Sequence, residues 1–361
     1  MLSVSPLSIH SLSFTIFFAY LLDLILGDPK WLPHPVRWIG SYIAFLEGKI
    51  RRFATPPAPP LVKGGEGEGW SEKVGGVFLF LIVVGTVFGL VWFLLYFSFL
   101  ISHFLFLIFS IFLAYTTLSI KSLHQEAYGV VGEIEKVSPP PLPSPLAGEG
   151  WVGGHLDRAR ERLSNIVGRD TQNLSEEEIY RAVVETIAEN TSDGIIAPFF
   201  YLAIGGPALA LTYKAVNTLD SMVGYKNEKY KNFGWFSARM DDIANFIPAR
   251  ITAILMVAAS FILRLDWKNS LRIILRDSGN HPSPNAGYPE AAAAGALGLQ
   301  LGGTNYYFGE PHHRPFIGDK NNEFTIKSVK DTVKIMHLTA FLGVVLFSGF
   351  WLLIGLLFDN C

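Results

Sequence analysis

The stretch from Val74 to Ile120 is almost wholly apolar. At ~1.5 Å of rise per residue, a helix of that length is too long for a single crossing of a ~30 Å hydrocarbon layer. The segment therefore predicts a hairpin of two membrane spans, 74–100 and 103–120, turning near Ser102 and His103. His103 reads as an interfacial turn residue rather than a ligand, because no carboxylate or second histidine lies near it in sequence. Similar runs at 8–26, 247–265 and 338–358 predict further spans. The balance of 50% hydrophobic to 17% charged residues over 361 positions agrees with a membrane protein. The expected fold is an all-α polytopic membrane protein with about five to six membrane helices, re-entrant or broken segments among them.

The first span is not expected to be a cleaved leader. The first basic residue is Lys30, and Asp23 falls where a small-residue cleavage site would lead. After it, Pro29, Pro33 and Pro35 rule out a continuous helix and predict an extended, turn-rich path carrying Asp28, His34 and Arg37 at the membrane surface. Trp31 and Trp38 with the basic residues suit an interfacial anchor, and a substrate-contacting loop suits them equally.

Segments 55–73 and 138–154 are rich in Pro, Gly and Glu, and each contains Gly-Glu-Gly-Trp. Such composition buries too little apolar surface to offset ordering entropy, so both are expected to be disordered insertions at loop tips. Residues 121–190 read as a helical cytosolic region. Ser175 followed by Glu178 forms a capping box, which predicts a helix from about Glu176 to about Asn190. Arg158, Arg160, Arg162 and Arg169 read as a solvated face in preference to an anion-binding patch.

A formal net charge of −2 and the lack of any basic-aromatic motif argue against nucleic acid. With Cys361 as the single cysteine, no intrachain disulfide or Cys-x-x-Cys metal site can form. Neither a Walker A pattern nor a GxGxxG, GxSxG or HExxH motif occurs.

The chemistry-bearing residues concentrate between Ala182 and Arg250, around an apolar segment, 195–213, that is interrupted by Pro198 and by Gly205-Gly206-Pro207. Polar groups are costly beside a bilayer, so such density marks a site. Glu185 and Glu189, at i and i+4, share a helix face, with Asp193 one turn on. Like charges that close call for a cation, and Mg²⁺ commonly takes one or two protein carboxylates together with phosphate oxygens; an exposed acidic helix end is the plainer alternative. Beyond the glycine break, Lys214, Asn217, Asp220 and Ser221 share another face, suited to a phosphorylated ligand or to a polar pair within a bundle. Arg239, Asp241, Asp242, Asn245 and Arg250 repeat the pattern, as do Asn280, His281, Ser283, Asn285 and Glu290 in a proline-rich turn. Segment 287–303 is short and weakly apolar for a span and reads as a re-entrant helix. The Glu310-Pro311-His312-His313 cluster lacks a third ligand at helical spacing, which argues against a transition-metal site.

Four motifs in order, DPKWLPHPVRWIG, ETIAENTSDGIIAPFFYLAIGGPALALTYKAVNTLDSMVGYKN, FSARMDDIANFIPARI and RDSGNHPSPNAGYPEAAAAGALGLQLGG, resemble the CobD/CbiB family of cobalamin biosynthesis. The likeness covers most of the chain outside the two Gly-Glu-Gly-Trp segments. It implies a multi-pass enzyme of the inner cell membrane, an adenosylcobinamide-phosphate synthase with its active site on the cytosolic side. Such an enzyme joins (R)-1-aminopropan-2-ol, or its O-phosphate, to the f-carboxylate of adenosylcobyric acid at the expense of ATP, with Mg²⁺. An acyl phosphate is the expected intermediate, since phosphoryl transfer asks mainly for positioning and charge neutralisation. On that resemblance Glu185, Glu189 and Asp193 would coordinate Mg²⁺, and Asp220 and Asp242 would add ligands or the base that deprotonates the amine. Lys214, Arg239 and Arg250 would hold phosphates. Asn217, Asn280, His281 and Asn285 would contact the corrinoid or the aminopropanol. Other membrane enzymes of cobalamin assembly are expected partners beside the lipid bilayer.

Two rival readings compete with this one. Asp193-Gly194-Ile195-Ile196-Ala197 begins like the DGxxAR motif of CDP-alcohol phosphotransferases, but Pro198 stands in place of the Arg. A transporter of an anionic small molecule would also show broken helices with polar ends, yet no second copy of the central stretch is visible.

Overall fold

The computed structural model describes residues 6–29, 31–54, 66–136, 150–225, 227–307 and 309–358. It is helical almost throughout, and five helical stretches, Ser71–Ile101, His103–Glu135, Glu176–Val223, Trp235–Ile262 and Ile326–Leu357, are long and apolar enough to cross a membrane. A shorter apolar helix covers Ser11–Leu26. The chain divides into two compact units, 1–119 with 193–248 and 344–361, and 120–192 with 249–343.

The first unit contains α1 (Pro6–Leu26), α2 (Pro35–Ala54), α3 (Glu66–Ile101), α4 (His103–Tyr115) and α8 (Ala197–Val223). It also takes residues 235–248 of α9 (Trp235–Ile262) and 344–358 of α12 (Ile326–Phe358). Its core joins Ile43 of α2, Leu79 and Val83 of α3, Leu113 of α4 and Leu211 and Leu219 of α8. The α3–α4 turn is set by Ser102, whose side chain accepts from the Phe104 N–H and caps α4. Phe78, Leu81, Leu90, Phe93 and Phe97 of α3 are left exposed, which suits a helix solvated by lipid rather than water.

The prolines keep the described residues between Leu26 and Pro35 non-helical and turn-rich as expected, but only up to Pro35, which is the first residue of α2. At that position the missing N–H would be unpaired in any helix. The Gly-Glu-Gly-Trp segments need a similar correction, since 66–73 open α3 and 150–154 open α6 (Gly150–Ser164). Once an apolar helix is nucleated, each further residue costs little to add. The remainder of both segments, 55–65 and 138–149, lies outside the described residues.

Helix α8 is interrupted as its glycines suggest. Gly205 and Gly206 leave helical geometry, at φ −142°, ψ 22° and φ 66°, ψ −166°. In a straight helix Tyr201 and Tyr213 would stand ~18 Å apart along the axis, yet their rings stack with centroids 4.9 Å apart. The Tyr213 hydroxyl also lies 3.2 Å from the carbonyl oxygen of Asp193, a separation in sequence worth ~30 Å of helix. The chain therefore folds back on itself at the glycine pair.

The second unit holds α5 (Ile120–Glu135), α6, α7 (Glu176–Thr191), α10 (Trp267–Asp277), α11 (Gly287–Leu297), and residues 249–262 of α9 and 326–343 of α12. Helix α7 begins as the capping box requires, with the Ser175 side chain accepting from the Glu178 N–H and the Glu178 carboxylate accepting from the Ser175 N–H. A five-residue π turn, Ser192–Ile196, follows it.

Segment 287–303 is not one helix. It is helical to Leu297, stops at Gly298 (φ 65°), and then becomes β1 (Leu301–Tyr307), paired antiparallel with β2 (Glu310–Ile317). Gly302 and Gly303, at φ 90° and 85°, hold backbone that side-chain-bearing residues rarely adopt. A Cβ at Gly302 would sit 2.3 Å from the Pro315 carbonyl oxygen, so the hairpin needs glycine there for space as well.

Candidate functional site

In the second unit, Arg181, Glu185 and Glu189 recur at i+4 along α7 and so share one face. Glu185 is buried and fully engaged. Its Oε2 lies 2.8 Å from Arg169 Nη2, and its Oε1 accepts the Gly302 N–H at 3.0 Å. Arg169 donates onward to Asn305 Oδ1 at 2.5 Å, and Arg181 donates to Asn305 Oδ1 at 3.2 Å and to the Gly302 carbonyl at 2.6 Å. This lattice ties α7 to β1. Arg169 thus belongs to a buried ion pair rather than to a solvated basic face, whereas Arg158 and Arg162 are about half exposed.

Next to it, Glu290 of α11 is 1% exposed, with Arg314 Nη2 at 3.0 and 3.1 Å from its two oxygens. His281 Nδ1 lies 2.9 Å from the Ser283 nitrogen, and its Nε2 lies 3.4 Å from Glu290. The Arg314 guanidinium also touches that nitrogen. Burial alone would raise the Glu290 carboxyl, but the His281 hydrogen bond and the charges of His281 and Arg314 outweigh it and hold the group below its usual range. Burial likewise weakens the Arg314 charge, and Glu290, Glu185 and Glu189 more than restore it.

Glu189 interacts electrostatically with Glu290, His281, Arg314 and Glu185. Among the described residues its side chain makes no hydrogen bond or ion pair, in contrast to Glu185 and Glu290. The cluster therefore contains two carboxylates already neutralised by arginine and one that is available. At its margin Arg250 donates to Asn285 Oδ1 at 3.4 Å and stacks 4.2 Å over the Tyr288 ring. Asn280 is exposed and joins none of these contacts.

The first unit has its own polar cluster. Asp241, 9% exposed, accepts from Asn217 at 3.4 Å and from Asn245 at 3.0 Å, and the Tyr213 hydroxyl lies 2.8 Å from Asn245 Oδ1. Lys214 feels Asp193, Asp28 and Asp241, and Asp28 lies 3.0 Å from His34. Asp242 instead faces outward to the exposed Arg239 at 3.9 Å. Asp220 sits in the last turn of α8, where its carbonyl accepts the Gly224 N–H at 2.7 Å, and Asp242 acts electrostatically on its neighbour Asp241.

The carboxylates proposed for Mg²⁺, Glu185, Glu189 and Asp193, are not gathered into a preformed cluster. Among the described residues no group of three or more His, Cys, Asp or Glu is placed to hold an ion, and both Glu185 oxygens are already engaged.

Arg181 is detectable from its i+4 spacing to Glu185, and Asp241 from its i+4 spacing to the buried Asn245. Arg314 and Asn305 carry no comparable signal, because the hairpin that holds them has no apolar alternation, with β2 exposed along most of its length.

A family profile described as CobD/Cbib protein matches residues 16–142 and 145–336. The chain is 49% identical to the cobalamin biosynthesis protein CobD of Geobacter metallireducens, over 88% of this chain and 90% of that protein. It is 44% identical to CobD of Listeria monocytogenes over 93% and 97% of the two chains. With CbiB of Salmonella typhi it shares 43% identity over 91% and 94%. No solved structure matches.

Proposed function

Because the chain belongs to the CobD/CbiB family, we propose that this multi-pass membrane enzyme of cobalamin biosynthesis is the ATP-dependent ligase that amidates the f-carboxylate of adenosylcobyric acid. The amine is (R)-1-aminopropan-2-ol or its O-phosphate. A carboxylate oxygen attacks the γ-phosphorus of ATP, giving the acyl phosphate and ADP. The amine nitrogen then attacks the acyl carbon, the phosphate leaves with the C–O bonding pair, and the nitrogen sheds a proton.

The observation that carries this reading is the contrast among the α7 and α11 carboxylates. An amine substrate arrives as an ammonium and must be neutral to attack, so the site needs one carboxylate that is not already paired. Glu189 meets that requirement, while Glu185 and Glu290 are taken by Arg169 and Arg314. In this account Glu189 receives the proton, Arg314 and Arg250 stabilise anionic oxygens, and His281 fixes Glu290, which in turn fixes Arg314. Within the first unit, Lys214 among its aspartates is a cation of the kind that binds phosphate. Magnesium enters as the Mg-ATP complex, as part of the substrate rather than held by a resident carboxylate trio. The enzyme is assigned to the inner membrane, with the ATP-using site facing the cytosol.

The test is to incubate the purified protein with Mg-ATP, adenosylcobyric acid and aminopropanol phosphate and to follow the amide by mass spectrometry alongside ADP. Amide and ADP formed in equal amounts support the assignment. Folded protein that yields neither overturns it.

A further inference from the structure

Apart from its polar cluster, the first unit contains an apolar groove of about 300 Å³ lined by α2, α3 and α8. Its walls include Trp38, Tyr42, Thr86, Val87, Leu90 and Leu211. The polar atoms on it are nearly self-satisfied, since the Tyr42 and Thr86 hydroxyls lie 3.4 Å from one another. A site built for a small polar substrate places a few convergent polar groups among its apolar walls, and this one offers none to spare.

Trp38 and Leu90 form its lips and are 62% and 56% exposed. Leu90 continues directly into the outward face of α3, where Phe93, Leu94 and Phe97 are also exposed. That helix is among those long and apolar enough to cross a membrane, and Thr86 to Val91 fall near its middle. The groove thus opens sideways from the part of α3 that the hydrocarbon layer covers. Water is excluded there, and an unfilled apolar cleft forfeits the dispersion contacts of its lining.

We infer that the Trp38–Leu90 groove is a binding site for one acyl chain of a bilayer phospholipid, which seats against Leu211 and joins α2 to α3. The choice of occupant follows from the continuity of the groove with the lipid-facing surface and from its lack of any charged side chain. Leu211 lies one helical turn before Lys214 on α8, so the chain would also buttress the segment that presents that lysine. This inference is independent of the ligase assignment.

The full-length protein is extracted in mild detergent, and bound phospholipid is counted by native mass spectrometry for wild type, Val87→Phe, Leu90→Trp and Phe93→Leu. Val87→Phe fills the groove from its wall, Leu90→Trp closes its mouth from an exposed position that leaves the core intact, and Phe93→Leu alters the outer face alone. Retained lipid should fall about tenfold in the first two and stay at the wild-type level in the third. In a second arm, wild type and Trp38→Phe are reconstituted in phosphatidylcholine brominated along one chain. A quenched fluorescence component present in wild type and missing from Trp38→Phe supports the site. Equal lipid retention in all four proteins, or quenching unchanged by Trp38→Phe, overturns it.

Discussion

Glu185 and Arg169 form an ion pair of 2.8 Å in which each side chain is 5% exposed. Removing one partner strands a buried charge, a loss of about 3–5 kcal/mol, whereas replacing both by apolar groups of similar volume is often close to neutral. Arg169→Met should therefore lower the melting temperature in detergent sharply, and Arg169→Met with Glu185→Met should recover most of it. Glu185 would behave otherwise if it were a metal ligand, since Mg²⁺ would then raise the wild-type melting temperature and have no effect on the double variant.

Glu290 gives the second unit an acid limit. Its folded-state pKa is lowered, so its contribution to stability is complete above the unfolded carboxylate value of about 4.3 and is lost as pH falls through the folded value. Asp277 acts in the same direction, held low mainly by the Arg276 hydrogen bond, which prevails over burial, and by the Gly318 N–H. Melting temperature should fall steadily as a titration proceeds below the unfolded value, and Glu290→Gln should flatten that limb while lowering the plateau at neutral pH.

Gly206 should tolerate no side chain, for conformational rather than steric reasons. A Cβ there meets nothing closer than Leu12 Cδ2 at 3.7 Å, but φ 66° with ψ −166° is a region kept almost entirely to glycine. Gly206→Ala should cost about 1–3 kcal/mol and loosen the Tyr201–Tyr213 stack. In protein lacking Cys361, cysteines placed at 201 and 213 should cross-link readily when Gly206 is retained and poorly when the Gly206→Ala substitution is added.

Asp241 and Asp242 are neighbours in sequence with opposite fates. Asp241→Asn removes a buried charge that accepts from Asn217 and Asn245 beside Lys214, and should reduce amide formation by at least about tenfold. Asp242→Asn alters a partly exposed carboxylate and should leave stability within about 0.5 kcal/mol and turnover near the wild-type rate.

These pairs show what local rules could and could not reveal. The capping box at Ser175, the long apolar helices and the glycine break at 205–206 are written in neighbouring residues, and each appears in the structure. Helical phase separates Asp241 from Asp242 once Asn245 is known to be buried, yet composition treats them alike. Arg169 reads locally as one member of a solvated arginine face because its partner, Glu185, lies far along the chain. Arg314 depends on a hairpin that forms only because Gly298, Gly302 and Gly303 adopt positive φ. A run of small residues conceals that hairpin within an apparent helix.

The central claim is that Glu189 is the unpaired carboxylate that takes the proton of the attacking ammonium. Its most direct test is the pH profile of amide formation for wild type and Glu189→Gln at saturating Mg-ATP, with melting temperature recorded for each. The account predicts an unchanged melting temperature, a fall in kcat of about 10²–10⁴ at neutral pH, and a rate that climbs as rising pH deprotonates the amine in solution. A Glu189→Gln enzyme with the wild-type rate and profile would contradict it.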